Sequence, residues 1–142
     1  DQTCAFQGAL SGAVTWQSDS AAPACVIPFS SSSSGGVEMD FRPLQAPISQ
    51  LVVNVSSVKA EMTGPFPASA EVRLPDNRKW TTAAACTVTV ESSTYVQTQE
   101  FGGKRYQLTG RGECAAAAMP QSPATGTVTI APFTFRFPAQ FL

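Results

Sequence analysis

Cys86 and Cys114 each sit in a run that alternates between apolar and polar residues, and in both runs the cysteine falls in the apolar phase. The first run sets Ala84, Cys86, Val88 and Val90 on one side and Thr87, Thr89 and Glu91 on the other, the period of a half-buried strand. The second sets Tyr106, Leu108 and Cys114 inward, with Gly110 and Gly112 between them, and Arg105, Gln107, Thr109, Arg111 and Glu113 outward. A third carries Val128 and Ile130, changes phase at Ala131 and Pro132, and resumes with Phe133, Phe135 and Phe137. A bulge or bend at Pro132 is expected, because proline cannot donate to a ladder and an extra residue re-aims the side chains after it. The stretch from Ala85 to Phe137 thus presents one inward face that holds both cysteines.

Gly102-Gly103 is a good two-residue hairpin turn between the first two runs. Strict pairing about it would set Cys86 opposite Met119, so either the register slips by bulging or these strands are not direct neighbours. The chain has four cysteines and no histidine. Widely spaced cysteines without CxxC pairs or histidines do not suit a zinc site, whereas sparse charge and hydroxyl-rich strands suit disulfides formed in an oxidising compartment. Three connectivities are formally open; joining nearest neighbours gives Cys4 with Cys25 and Cys86 with Cys114, and the second pair shares a face.

The remaining segments read as short strands between turns. Cys4 and Phe6 alternate with polar neighbours, Gly8 to Gly12 breaks the run, and Val14 and Trp16 resume it. A turn over 18–23 precedes Cys25, Ile27 and Phe29, and the serine run 30–34 with Gly35 and Gly36 reads as a flexible loop. Val37, Met39 and Phe41 alternate with Glu38, Asp40 and Arg42, which places two carboxylates on one outer face. The run from Leu51 to Ser56 is apolar in both phases at first, as a central strand would be, and it contains a glycosylation sequon at Asn54. Thr63 to Pro67 reads as a stiff turn, Ala70, Val72 and Leu74 face inward, and Pro75-Asp76-Asn77 is a strong turn signal. Prolines at 120 and 123 restrict the alanine-rich stretch 115–126 to a loop.

About eight to ten short strands with no helix of useful length predict an all-β chain, an antiparallel β-sandwich of Ig-like or pilin-like type with two disulfides. With 142 residues the chain is expected to be one domain, 1–142. Only 13% of residues are charged, and the formal net charge is -1, which leaves no field to hold nucleic acid or an anionic membrane surface. No apolar run reaches the roughly 20 residues of a membrane span, and the opening residues lack a leader's basic and apolar regions, so a mature, soluble chain is expected.

Without histidine, the usual nucleophile triads and the commonest general base are absent. Lys59, Lys79 and Lys104 lie in no SxxK context. Glu38 and Asp40 could form a carboxylate pair, but Arg42 continues their row, and an alternating-charge face ordinarily keeps a sheet soluble. No catalytic residue, cofactor or metal site is expected. The reading that follows is a non-catalytic structural or assembly subunit of an extracellular filament, coat or cell-surface layer, partnered by itself or by another surface protein. The alternative is a secreted recognition module that binds glycan or protein through loops at one end, with Trp16, Trp80, Tyr95 and Tyr106 as candidate ligand contacts. Peptide mapping without reduction is expected to recover Cys4 linked to Cys25 and Cys86 linked to Cys114; free thiols or a crossed linkage would refute the pairing.

Overall fold

The structure, a computed structural model, describes residues 4–18, 25–26, 36–42, 46–100 and 102–141, with 25–26 as backbone alone. The expectations for 19–24, for Ile27 and Phe29, for the serine run 30–34 and for the side chain of Cys25 lie outside the described residues. The strands are β1 (Ala5–Gln7), β2 (Ala9–Gly12), β3 (Trp16–Gln17), β4 (Cys25–Val26), β5 (Gly36–Phe41), β6 (Gln50–Ser56), β7 (Gly64–Arg73), β8 (Lys79–Thr81), β9 (Cys86–Thr98), β10 (Lys104–Cys114), β11 (Met119–Gln121), β12 (Val128–Ile130) and β13 (Phe133–Phe141). There is no helix among the described residues. A ten-stranded sheet runs β1-β13-β10-β9-β7-β6-β5-β4, with β8 added to β7 and β11 to β8; a three-stranded sheet runs β12-β2-β3. Every pairing is antiparallel.

β9 and β10 are direct neighbours, and Cys114 pairs with Cys86 in register. The slip demanded by the sequence is real, and its sources are visible. The strands close at Thr98 and Lys104, wider than a two-residue turn, and Gln99 N–H donates to Gly103 O at 2.6 Å. Arg105 then faces Gln97 while Tyr106 faces Tyr95, so Val96 is an extra residue on β9; Thr109 faces Ser92 while Gly110 faces Val90, so Glu91 is another. Two bulges and the wider loop bring the cysteines opposite each other, where they form a disulfide with Cα atoms 3.9 Å apart. Closing a loop across a separation of 28 residues restricts the unfolded chain by about 3 to 4 kcal/mol in the entropic account.

β10 carries glycine at two inward positions because β13 fills the space with rings. A Cβ on Gly112 would lie 2.2 Å from the Phe133 ring, and one on Gly110 would lie 2.9 Å from the Phe135 ring and 2.1 Å from Thr89 O. The phenylalanine row therefore packs flat against its neighbouring strand. Phe137 continues that row to Phe41 of β5, edge-on at 5.6 Å, so the long sheet folds over and its two ends face each other. Phe6 of β1 stands at the meeting point. It lies 5.3 Å from Phe41, 5.1 Å from Phe133 and 6.1 Å from Trp16, which belongs to the small sheet. The two sheets pack on this aromatic cluster, and residues of both contribute to one buried core.

Several local expectations are revised. The phase change at Ala131-Pro132 marks a change of sheet: β12 pairs with β2 in the small sheet and β13 with β10 and β1 in the large one. Gly8 to Gly12 is not merely a break, since β2 lies within it and buries Leu10. Thr63 to Pro67 is not a turn either. Gly64 to Ala68 pairs with β9, while pairing with β6 begins only at Ala68, so Pro65 and Pro67 occupy a half-strand whose β6 side is open, where a missing N–H is tolerated. Within 115–126, β11 pairs with β8, and Ala118 bridges to Val128. Ala84 is exposed despite its phase.

Gly112→Ala is expected to cost about 1 to 3 kcal/mol by overpacking. Phe133→Ala should cost about 3 to 5 kcal/mol through the cavity it leaves. Because the obstruction at Gly112 is the Phe133 ring itself, the double variant should be less destabilised than the sum. Denaturant unfolding of the four proteins measures this, and strict additivity would show that the ring does not occupy that space.

Candidate functional site

The structure separates the four aromatic residues singled out from the sequence. Trp80 is 1% exposed, and its indole N–H donates to the carbonyls of Gly126 at 3.1 Å and Thr125 at 3.3 Å, which ties β8 to the segment before β12. Trp16 is buried against Phe6. Both serve the core, and neither offers a ring face to a ligand. Tyr95 and Tyr106 are brought together, edge-on at 5.7 Å, because the Val96 bulge sets them directly opposite. Tyr106 is buried and continues the ladder to Phe141 at 5.8 Å, while Tyr95 is 50% exposed at the rim, its hydroxyl bonded to that of Thr98.

Tyr106 Oη donates to Glu61 Oε1 at 3.1 Å. Glu61 has φ of 65°, a left-handed conformation uncommon for a residue other than glycine, and its N–H donates to Ser93 Oγ at 3.2 Å. Burial, then the hydrogen bond to Glu61 and that carboxylate's charge, push the Tyr106 phenol above its ordinary value. This is a packed end of the sheet, with Met62 exposed beside it.

Glu38 and Asp40 do not form an exposed carboxylate pair. Glu38 faces solvent, but Asp40 is 5% exposed, accepts from Gln50 Nε2 at 2.9 Å and pairs with Arg42 at 3.3 Å. A buried carboxylate held by two partners is a structural tie. Among the described residues no group of His, Cys, Asp or Glu is arranged to hold a metal ion.

A concave surface among the described residues lies on the outer face of β1, β13, β10 and β9. A cavity of about 420 Å³ is lined by Gln7, Thr87, Thr89, Arg111, Glu113 and Thr134, with Pro132 at its wall. A second, of about 430 Å³, shares Gln7 and Thr134 and extends past Thr109 to Glu91 and Arg136. A third, of about 260 Å³, shares Thr87 and Glu113 and ends beside Cys114. Together they make one groove running along β10 from the disulfide to the Glu91 bulge. The bulge has a direct part in this. An extra residue bends its strand and increases local twist, and here it also places the Glu91 carboxylate at the groove's end.

Elsewhere some polar side chains close on one another, Glu71 with Arg73 and Asp76 with Arg78, and at the groove's end the Thr109 hydroxyl is engaged by that of Ser92. In the central cavity the side chains of Gln7, Thr87, Thr89, Arg111, Glu113 and Thr134 have no hydrogen-bond or ion-pair partner among the described residues. They present hydroxyl, amide, guanidinium and carboxylate groups side by side, and Arg111 and Arg136 balance Glu91 and Glu113 in formal charge. Sequence reasoning placed most of these residues correctly in the outward phase but did not gather them into a site. The signal available was the recurrence of outward threonines in separate runs; their convergence needs the order β9-β10-β13-β1. No protein-family model, curated protein or solved structure matches the chain.

The raised Tyr106 phenol has a checkable sign. Because its folded-state value lies above the ordinary 10.0, its contribution to stability is complete below that value and lost as pH rises through the folded one. Ultraviolet titration should show one of the two tyrosines ionising above the ordinary range, and Glu61→Gln should move that midpoint downward without returning it fully, since burial remains. No movement on substitution would show that Glu61 is not its acceptor.

Proposed function

We propose that the chain is a non-catalytic recognition module, secreted or displayed outside the cell, which holds an extended polar ligand in the groove along β10. The observation that carries this reading is the set of uncommitted polar side chains converging on one concave surface. Such groups are ordinarily satisfied by one another or by solvent, and where they converge on a concave surface they can exchange solvent for a ligand. The site differs from the loop-end surface anticipated from the sequence; it is a sheet face, which is more rigid than loops and better able to hold several contacts in fixed relation. The chain has no histidine to act as general base beside the groove's hydroxyls, which favours binding over turnover.

The two packed antiparallel sheets support a β-sandwich reading, and the Cys86–Cys114 bridge is consistent with an oxidising, extracellular setting. A second bridge between Cys4 and Cys25 completes the proposed framework. Recognition ranks ahead of the assembly-subunit reading for a specific reason. That reading relied on uncovered opening and closing strands, but the closing strand β13 is covered on both sides, by β1 with Phe6 opposite Phe135 and by β10, which leaves the three-residue β1 at that end of the sheet. The free half of β9 beyond Val90 is also interrupted by bulges at Glu91 and Val96, a device that disfavours edge-to-edge pairing.

Sedimentation equilibrium of the wild-type chain is expected to give a monomer across a wide concentration range. Concentration-dependent polymer would restore the assembly-subunit reading. Hydrogen-exchange protection on ligand binding should then fall on Thr87, Thr89, Arg111 and Thr134; protection confined to Tyr95 and Met62 would move the site to the end of the sheet.

A further inference from the structure

We infer that the groove is built for a neutral polysaccharide chain, bound along its interior and parallel to β10; this rests on the recognition reading above. The argument begins with what the groove excludes. Arginines alone would suit a polyanion, but the carboxylates of Glu91 and Glu113 stand in the same groove and would repel one. An apolar ligand would leave hydroxyls, amide and charges desolvated without partners, which binding does not tolerate. An extended peptide gains most of its affinity by adding to a free strand edge. Here the groove lies on a sheet face, and the backbone groups of β10 are already engaged by β9 on one side and β13 on the other. A peptide lying along β10 would find no ladder to join.

A sugar chain matches what remains. Each sugar hydroxyl both donates and accepts, as do the threonine hydroxyls and the Gln7 amide that line both sides of the groove. The Arg111 guanidinium offers parallel N–H donors to a pair of neighbouring hydroxyls, and the Glu113 carboxylate accepts from such a pair; their side chains follow each other on the outward face of β10. Exposed Pro132 supplies a small apolar plate for the C–H face of a ring. The cavities join end to end from Cys114 to Thr109, a run of strand on the order of 17 to 20 Å, so that several rings fit in a row. Such a row of contacts recognises the body of a chain without needing its terminus.

Affinity electrophoresis through gels containing hydroxyethyl cellulose, xylan, galactomannan or soluble starch tests this, with heparin as the charged comparison. Wild-type protein is expected to be retarded by at least one neutral polymer. Arg111→Ala should weaken that retardation by about tenfold. The double variant Thr87→Val, Thr134→Val, which keeps size and strand preference while removing two hydroxyls, should weaken it at least as much. Lys79→Ala, on β8 away from the groove, should match wild type, and unchanged thermal melting of each variant shows that the fold is intact. Retardation by heparin alone, by no neutral polymer, or by a neutral polymer but equally in all variants overturns the saccharide assignment. If a displayed peptide library instead yields binders lost on Arg111→Ala, the recognition reading survives and the ligand class changes; if neither polymer nor peptide binds in a groove-dependent way, both fall.

Discussion

The register between β9 and β10 is the constraint on which the rest of the large sheet depends. It places Cys86 beside Cys114, and it makes Val96 and Glu91 bulge. A disulfide between directly opposed residues prevents that pair from sliding by one step, a slip that would turn every side chain of a strand to the other face. The bulges in turn bend the hairpin. One sets Tyr95 against Tyr106 at the end of the sheet, and the other bends β9 where the groove along β10 ends.

β13 is held to this hairpin by a complementary device. Two inward glycines on β10 make room for the Phe133 and Phe135 rings, so each strand supplies what the other omits. Glycine within a strand ordinarily weakens it, for lack of side-chain packing and for entropy. Here each ring recovers the lost packing, and burying a phenylalanine is worth about 1.5 to 3 kcal/mol relative to exposure. Phe6, Phe41 and Phe137 extend the same aromatic seam across the fold, so that β1, β5, β13 and the small sheet meet on one cluster.

The surface divides along the same line. On the strands and turns away from the groove, three pairs of charges among the described residues neutralise each other at short range, Asp40 with Arg42, Glu71 with Arg73 and Asp76 with Arg78. The Asp76 carboxylate illustrates this: the Arg78 backbone N–H, together with its guanidinium, holds that carboxyl below its ordinary range and closes the turn that Asn77 makes at φ of 70°. Such turns and pairs stabilise the fold and are finished. In the central cavity the side chains of Gln7, Thr87, Thr89, Arg111, Glu113 and Thr134 make no such pairs with described residues.

Much of the local structure was legible in the residues themselves. Period-two alternation told which side of each strand faces inward: Cys86, Val88 and Val90, then Tyr106 and Leu108, then Phe133, Phe135 and Phe137 are all buried. The mismatch between a Gly102-Gly103 turn and paired cysteines even demanded the bulging that is present. These are local properties, written in the alternation of a few neighbouring residues. What the sequence could not decide is lateral order. Nothing in the run from Val128 to Phe137 says that β12 and β13 belong to different sheets, because a change of partner and a bulge both appear as a change of phase. Asp40 reads as an exposed carboxylate until its neighbours Gln50 and Arg42 are placed around it. The groove is the clearest case. Outward threonines and an arginine look the same on a flat, solvated face as on a concave one, and only the lateral order of β9, β10, β13 and β1 brought those separate residues together.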